Sequence, residues 1–221
     1  MANIDHISLL RQRKLIWNNW RQENPQTIPD LRGADLNRAD LYERNLANAD
    51  LRDADLFAAN LEKADLRNAD LRNAVMRHSR LRFACISGAN LSNVDLYDAN
   101  LYQAQLDGAT LRHANLIGTD LTKTSFTSAD LSDARLALAR LVSTSFTNAN
   151  LSGCAVYGIS AWDVELSDAN QSNLVINPIE EPTITVDDLQ VAQFVYLLLN
   201  NANIRNVIDT VSYTHLTLPT N

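Results

Sequence analysis

Residues 31–75 read LRGADLNRADLYERNLANADLRDADLFAANLEKADLRNADLRNAV and repeat with a period of five. A leucine opens every unit from Leu31 to Leu71, a small residue mostly lies two positions before it, and Asp or Asn mostly lies between them. The same phase runs on to Val156 without an insertion, so twenty-six consecutive units carry an apolar residue at one position. The unit is A-(D/N)-L-x-x, and a repeat this regular decides the architecture.

A period of five fits neither standard secondary structure. On an α-helix it would spread the leucines around the whole cylinder, and a strand requires alternation by two. The pattern is satisfied if the chain turns a corner in every unit, with the small residue and the leucine pointing inward from a short straight side. Four sides then close a square coil of about twenty residues, and stacked coils lie roughly 4.8 Å apart.

Residues 29–176 therefore resemble the pentapeptide-repeat family, whose members form right-handed quadrilateral β-helices. The resemblance implies an all-β solenoid of about seven coils, a rod roughly 35 Å long. Such a solenoid gains its stability from contacts between neighbouring coils. We expect the Asp and Asn side chains to accept hydrogen bonds from nearby backbone at the turns.

A few inward positions depart from the repeat. Arg44 occupies a small position near the start, where we expect its side chain to extend out of the terminal coil. Thr124 and Thr144 are twenty residues apart, as are Phe126 and Phe146, so each pair is expected to stack on one side of the tube. We interpret these substitutions as compensated packing.

The repeat divides the chain into three segments: 1–28, 29–176 and 177–221. The first is predicted to be a capping helix from Asp5 to Glu23, with Asp5 as its N-cap and Pro25 ending it. Such a cap would cover the strand edges that the first coil leaves unpaired.

The last segment, 177–221, is predicted to be a linker followed by a helical segment. Thr185 to Asp188 would start a helix, and residues 203–211 would form a second short one. Residues 212–221 continue neither pattern. The sequence resembles longer family members in which a similar helical segment leads into a C-terminal domain, so we hypothesise that the native chain runs on.

The composition gives no indication of enzyme chemistry. Phosphate-binding glycine loops, nucleophile elbows and zinc-ligand motifs are absent from the sequence, and its four histidines are far apart. Cys85 and Cys154 are isolated. We predict no catalytic, cofactor or metal site, and we expect no cofactor, no enzyme activity and a cytoplasmic location. The net charge of −7 argues against direct nucleic-acid binding and against an anionic membrane as partner.

The surface charge is uneven along the chain. Residues 30–84 carry ten acidic and ten basic side chains, whereas residues 85–176 have a net charge of −5. Five arginines fall within one coil, interleaved with aromatic residues. A solvated face balanced by nearby Asp explains such a belt, and so does a binding surface. The candidate interaction residues are Arg67, Arg72, Arg77, Arg82, Tyr97, Tyr102 and Trp162.

Stacking of the coils predicts contacts within this belt. Arg77 should lie between Phe57 and Tyr97 on one side of the rod, and Tyr102 should lie above Arg82 on another. Trp162 stands at a bend that should face solvent, either in a modified final coil or as part of a recognition surface.

Two functions remain open from the sequence. The first is a non-catalytic scaffold or protein-interaction module, because solenoids offer extended surfaces to other macromolecules. The alternative is implied by the family: some members resemble DNA in width and charge and bind type II topoisomerases, protecting them from quinolones. We expect a protein partner and no membrane. The C-terminal helical segment either caps the tube or joins two chains into a homodimer.

Overall fold

The computed structural model describes residues 3–178 and 182–200. Its regular elements, in chain order, are α1 (Ile4–Leu10), α2 (Lys14–Glu23), β1 (Arg140–Val142), β2 (Ser160–Trp162), β3 (Leu174–Val175), β4 (Thr185–Val186) and α3 (Leu189–Asn200). Strands β1 and β2 pair in parallel, and β3 and β4 pair antiparallel. No helix among the described residues is both long enough and apolar enough to cross a membrane.

Residues 30–175 form a solenoid held together by single parallel bridges. Each bridge joins residues twenty positions apart, from Asp30–Asp50 at one end to Ala155–Val175 at the other. The backbone N–H of Leu31, for example, donates to the carbonyl of Asp50 at 2.8 Å. Few regular strands appear, because the chain bends again after one or two paired residues. The predicted solenoid is thus confirmed.

The core is a continuous column of inward leucine and alanine side chains, such as Leu51 and Ala54, which are fully buried. Phe126 and Phe146 stack with ring centroids 5.3 Å apart and planes 7° from parallel. The hydroxyl of the buried Thr124 donates to a backbone carbonyl at 2.8 Å, so its polar group is satisfied. The departures from the repeat therefore pack as expected.

The polar position of the repeat stabilises the bends. Asp35 Oδ1 accepts a hydrogen bond from the backbone N–H of Asn37, and Asp55 Oδ1 accepts one from Phe57. This contact to the residue two positions later recurs along the rod and is the turn that Asp and Asn favour. The repeated carboxylates thus have a structural use, as the sequence indicated.

The N-terminal prediction of one helix from Asp5 to Glu23 is wrong. The structure has two helices, α1 and α2, separated at residues 11–13. The N-cap of α1 is Asn3, whose Oδ1 accepts from the backbone N–H groups of Asp5 and His6. The break frees the carbonyl of Gln12, which accepts a hydrogen bond from the rod.

The donor of that bond is Arg44. The prediction that its side chain extends out of the terminal coil is also wrong. Arg44 is 6% exposed, and its Nη2 donates to the carbonyl of Gln12 at 2.5 Å. The helices lie over the first coil, so the side chain has no open end to reach. Burial lowers the pKa of the Arg44 guanidinium below its ordinary value.

The helix α2 supplies side-chain partners for open backbone groups of the first coil. Trp17 Nε1 donates to the carbonyl of Asn45 at 2.8 Å, and Arg21 Nη2 donates to that of Ala47 at 2.8 Å. Asn18 bonds both the carbonyl of Glu43 and the N–H of Asn45. The backbone groups of Asn45 and Ala47 have no preceding coil to pair with.

At the other end, the predicted start of a helix at Thr185 is too early. Thr185 and Val186 form β4 against β3, and α3 begins only at Leu189. Asp188 precedes it and accepts a hydrogen bond from the N–H of Val191 at 2.8 Å. The predicted second helix and residues 212–221 lie outside the described residues.

Candidate interaction surfaces

Two arginines of the predicted belt form bidentate hydrogen bonds with the Asp two positions earlier. Arg67 donates through Nε and Nη2 to both oxygens of Asp65, at 2.8 and 2.6 Å. Arg72 does the same to Asp70, at 2.8 and 2.7 Å. Burial would raise the pKa of Asp65, but the hydrogen bonds from Arg67 outweigh it and the net pKa is lowered. Hydrogen bonding from Arg72 likewise lowers the pKa of Asp70.

On the next side of the rod, the prediction that Arg77 lies between Phe57 and Tyr97 is wrong. His78, not Arg77, lies between the rings of Phe57 and Tyr97, edge-on to both at centroid distances of 5.5 and 5.9 Å. Arg77 instead covers Tyr97, with its guanidinium carbon 5.0 Å from the ring centroid, and its Nε lies 3.7 Å from Asp95 Oδ2. The reason is that His78 is the second bend residue, whose φ of 57° places its side chain differently from that of the first.

The third side carries a similar cluster. The guanidinium carbon of Arg82 lies 5.3 Å from the ring centroid of Tyr102 and 5.5 Å from that of Phe83. The two rings meet edge-on at 5.8 Å. Tyr102 thus lies over Arg82, in the arrangement that stacking of the coils predicts.

These two clusters occupy adjacent sides of the same coils, because their arginines belong to consecutive repeat units. We call them together the aromatic–arginine surface. Its members are Phe57, Arg77, His78, Phe83, Arg82, Tyr97 and Tyr102. Arg67 and Arg72 are not part of it, since they lie on other sides and face their own Asp residues.

Trp162 lies in the same column of residues as Arg82 and Tyr102, but far from them. Backbone hydrogen bonds lead from Phe83 to Tyr102 and onward through residues 122 and 142 to Trp162. Four coils therefore separate Trp162 from Arg82, a distance of roughly 19 Å. The seven residues singled out from the sequence do not form one surface.

Instead, Trp162 borders a second surface, the terminal groove between β2 and α3. The groove has a volume of about 340 Å³ and is lined by Ala161, Trp162, Asp163, Gln190, Gln193, Phe194 and Leu197. Gln193 joins the two elements, because its Oε1 accepts from the backbone N–H of Ala161 at 2.9 Å. Phe194 and Leu197 are predicted as apolar helix residues, but their spacing does not tell which face of the helix packs on the rod.

The remaining reactive side chains are structural or isolated. Cys154 fills an inward position, and burial raises the pKa of its thiol to about 12. Cys85 is half-buried, and its Sγ lies 3.6 Å from Gln105 Oε1. Within residues 3–178 and 182–200, no three His, Cys, Asp or Glu side chains are grouped to hold a metal ion.

Comparison with solved structures gives several similar proteins. A pentapeptide repeat protein from the thylakoid lumen of Arabidopsis thaliana is 27% identical over 43% of this chain and 67% of that protein, with a TM-score of 0.43. HetL, involved in heterocyst differentiation regulation in the cyanobacterium Nostoc sp. PCC 7120, is 27% identical over 66% and 84%, with a TM-score of 0.31. QnrB1, a plasmid-mediated fluoroquinolone resistance protein, is 18% identical over 63% and 77%, with a TM-score of 0.37.

A search of the curated proteins found no match. The family model for pentapeptide repeats matches eight copies, at residues 30–60, 54–93, 89–127 and 124–160. These copies span more than half of the sequence and coincide with the solenoid that the twenty-residue bridges define. The chain belongs to the pentapeptide-repeat family.

Proposed function

We propose that this chain is a non-catalytic scaffold that binds a protein partner through its aromatic–arginine surface. One observation carries the proposal: Tyr97 and Tyr102 each hold a guanidinium over their ring, on adjacent sides of the rod. A guanidinium stacked in this way presents N–H groups to acceptors of a partner. Arg82 has no carboxylate partner among the described residues, and the one ion pair of Arg77 is a longer contact, 3.7 Å from its Nε to Asp95 Oδ2. Tyrosine and arginine are also the residue types that most often dominate the energy of protein interfaces.

The rod supports this role through its rigidity. We propose that it is a right-handed quadrilateral β-helix of about seven coils, with α1 and α2 as its cap. The side chains of Trp17, Asn18 and Arg21 bond open backbone groups of the first coil, which is what a cap must do. A surface held by a continuous core needs little ordering on binding, so more of its interaction energy appears as affinity.

The charges of the surface indicate the chemistry of its partner. Arg77 and Arg82 present positive charge, so a protein surface with carboxylates and exposed backbone carbonyls would fit them. Nucleic acid fits less well, because the whole chain carries a net charge of −7. The carboxylates of the repeat do not suggest catalysis either, since residues such as Asp35 and Asp55 accept hydrogen bonds within the turns.

The test is an affinity capture with three forms of the full chain: wild type, Arg77→Ala/Arg82→Ala, and Arg67→Ala/Arg72→Ala. The first pair removes the stacked arginines, and the second removes the same charge from arginines that face their own Asp residues. We expect the amount of a specifically captured protein to fall about tenfold or more with the first double variant. With the second double variant the amount should match that of wild type. Equal retention by both double variants would contradict the proposal.

The alternative is a DNA-mimicking protein that binds type II topoisomerases. The acidic half of the rod favours it, since residues 85–176 have a net charge of −5, and Asp65 and Asp70 neutralise two arginines of the belt. In the same capture, topoisomerase subunits retained equally by all three forms would support this function over the scaffold.

A further inference from the structure

The end of the rod opposite α1 and α2 has an unusual charge. Residues 141–200 contain seven acidic side chains and no Lys, Arg or His. The last basic residue before this stretch is Arg140. Among the described residues the acidic side chains are Asp163, Glu165, Asp168, Asp187 and Asp188. An apolar ligand that docked here would therefore do so in a negative field.

The terminal groove exposes large apolar side chains at this acidic end. Trp162 is 62% exposed, Phe194 is 61% exposed and Leu197 is 41% exposed. The helix is nevertheless firmly placed, because Leu189 and Ala192 are buried against the rod. The exposed groups are thus the outer face of a packed helix together with a bend of the last coil. Adjacent large apolar side chains of this kind mark interaction sites.

The last coil is also less completely covered than the first. In the described part of the chain, the backbone N–H groups of Leu166 and Asp168 have no hydrogen-bond acceptor. The side chains of Val164, Leu166 and Ala169 are only half-buried, whereas the leucines of inner coils are fully buried. The end beside the groove is accessible to a partner.

We propose that the terminal groove docks a cationic amphipathic segment of a partner protein. The apolar residues of this segment lie on Trp162 and Phe194, and its Lys or Arg side chains meet Asp163 and the acidic groups around it. This is the charge complementarity that selects partners and speeds association. The inference goes beyond the proposed function, because it concerns a different surface and a partner of opposite charge.

A second copy of the chain is a poor occupant for this groove. In a two-fold symmetric dimer the same patch meets itself, so the acidic end of one chain would face the acidic end of the other. Like charges brought together at an interface oppose association. Neutralising basic side chains are absent from residues 141–200.

The full chain is titrated into a dye-labelled synthetic peptide, and binding is followed by fluorescence anisotropy. In this peptide, leucine and lysine are placed to give an amphipathic helix. A companion peptide has glutamate in place of every lysine. We expect the leucine–lysine peptide to bind and the leucine–glutamate peptide not to bind. Trp162→Ala should weaken binding roughly tenfold or more, because it removes the exposed aromatic contact. Asp163→Asn should weaken it at low salt and reduce its salt dependence.

Two control variants separate the groove from the rest of the acidic rod. Asp133→Asn removes a carboxylate and Tyr102→Ala removes an aromatic ring, both outside the groove, and neither should change peptide binding. Equal affinity of all variants would show attraction to net charge and overturn the proposal. So would binding that appears only when residues 201–221 are removed, since the chain itself would then occupy the groove. Sedimentation showing a dimer that Trp162→Ala dissociates would overturn it as well.

The two surfaces can fail independently. Trp162→Ala leaves the Arg77 and Arg82 side chains in place, so it should not affect the capture that tests the scaffold. Because Trp162 is largely exposed, its replacement should also leave the thermal unfolding of the rod unchanged.

Discussion

Every bend of the rod places one residue in the left-handed region of backbone conformation. The second residue after each inward apolar position has φ between 52° and 73° along the described solenoid. Glycine adopts this conformation freely, and Asn and Asp adopt it at modest cost. The abundance of these residue types at the bends therefore follows from backbone sterics. A few bends carry less suitable residues, such as Ala58, with φ of 52°.

Replacing Ala58 should test this cost directly. We expect Ala58→Gly to raise the free energy of unfolding by about 1 kcal/mol, because it removes the steric penalty of a Cβ at positive φ. Urea denaturation would measure the change. Gly153→Ala should act in the opposite direction, since its φ is +73° and an added Cβ would meet Asp133 Oδ1. A decrease in stability for Ala58→Gly would contradict the explanation.

The two N-terminal helices act as one element on the first coil. Trp17 is fully buried, and its Nε1 bonds the carbonyl of Asn45. In a solenoid each coil contacts only its neighbours, so an uncovered end is where unfolding can begin.

We predict a graded loss of stability for substitutions in these helices. Trp17→Phe should cost about 1 kcal/mol through the lost hydrogen bond, and Trp17→Ala about 3–5 kcal/mol through the lost packing. Leu15→Ala on the same helix is the control, because Leu15 is 68% exposed and its loss should matter little. Thermal unfolding followed by circular dichroism measures all three. If Trp17→Ala resembled Leu15→Ala, the helices would not be stabilising the rod.

Over the whole molecule, Asp–Arg pairs near the first coils make stability depend on pH. The hydrogen bond from Arg52 lowers the pKa of Asp50, and that from Arg72 lowers the pKa of Asp70. A carboxyl whose pKa is lower in the folded state stabilises the fold above its unfolded pKa, about 3.9. This stability is lost as the pH falls below that value through the folded pKa.

The urea midpoint should therefore be steady near neutral pH and fall as the pH drops below about 4. Arg52→Gln should make the decline at acid pH shallower, because Arg52 contacts both Asp50 and Asp70, at 2.6 and 3.5 Å. Arg80→Gln removes an equal charge from an arginine that has no ion-pair partner among the described residues, and it should leave the slope unchanged. An identical slope for Arg52→Gln and wild type would exclude this source of acid sensitivity.

The repeat pattern predicts the solenoid, the inward leucines and alanines, and the role of Asp and Asn at the bends. It could do so because each inward position meets the same position twenty residues away, so a local pattern already specifies its neighbours. The stacking of Phe126 on Phe146 and the contact of Arg82 with Tyr102 follow from the same register.

Repeat spacing does not specify the contacts where the register ends, or which partner a long side chain contacts, because these depend on packing between distant parts of the folded chain. Whether Arg44 reaches solvent depends on the helices that cover the first coil, and those helices lie outside the repeat. Arg67 turns to the Asp two positions earlier, while Arg77 lies over the ring of Tyr97 and beside Asp95, a difference in side-chain geometry that spacing does not encode. The terminal groove, too, exists only because α3 packs on β2 with one face and leaves Phe194 on the other.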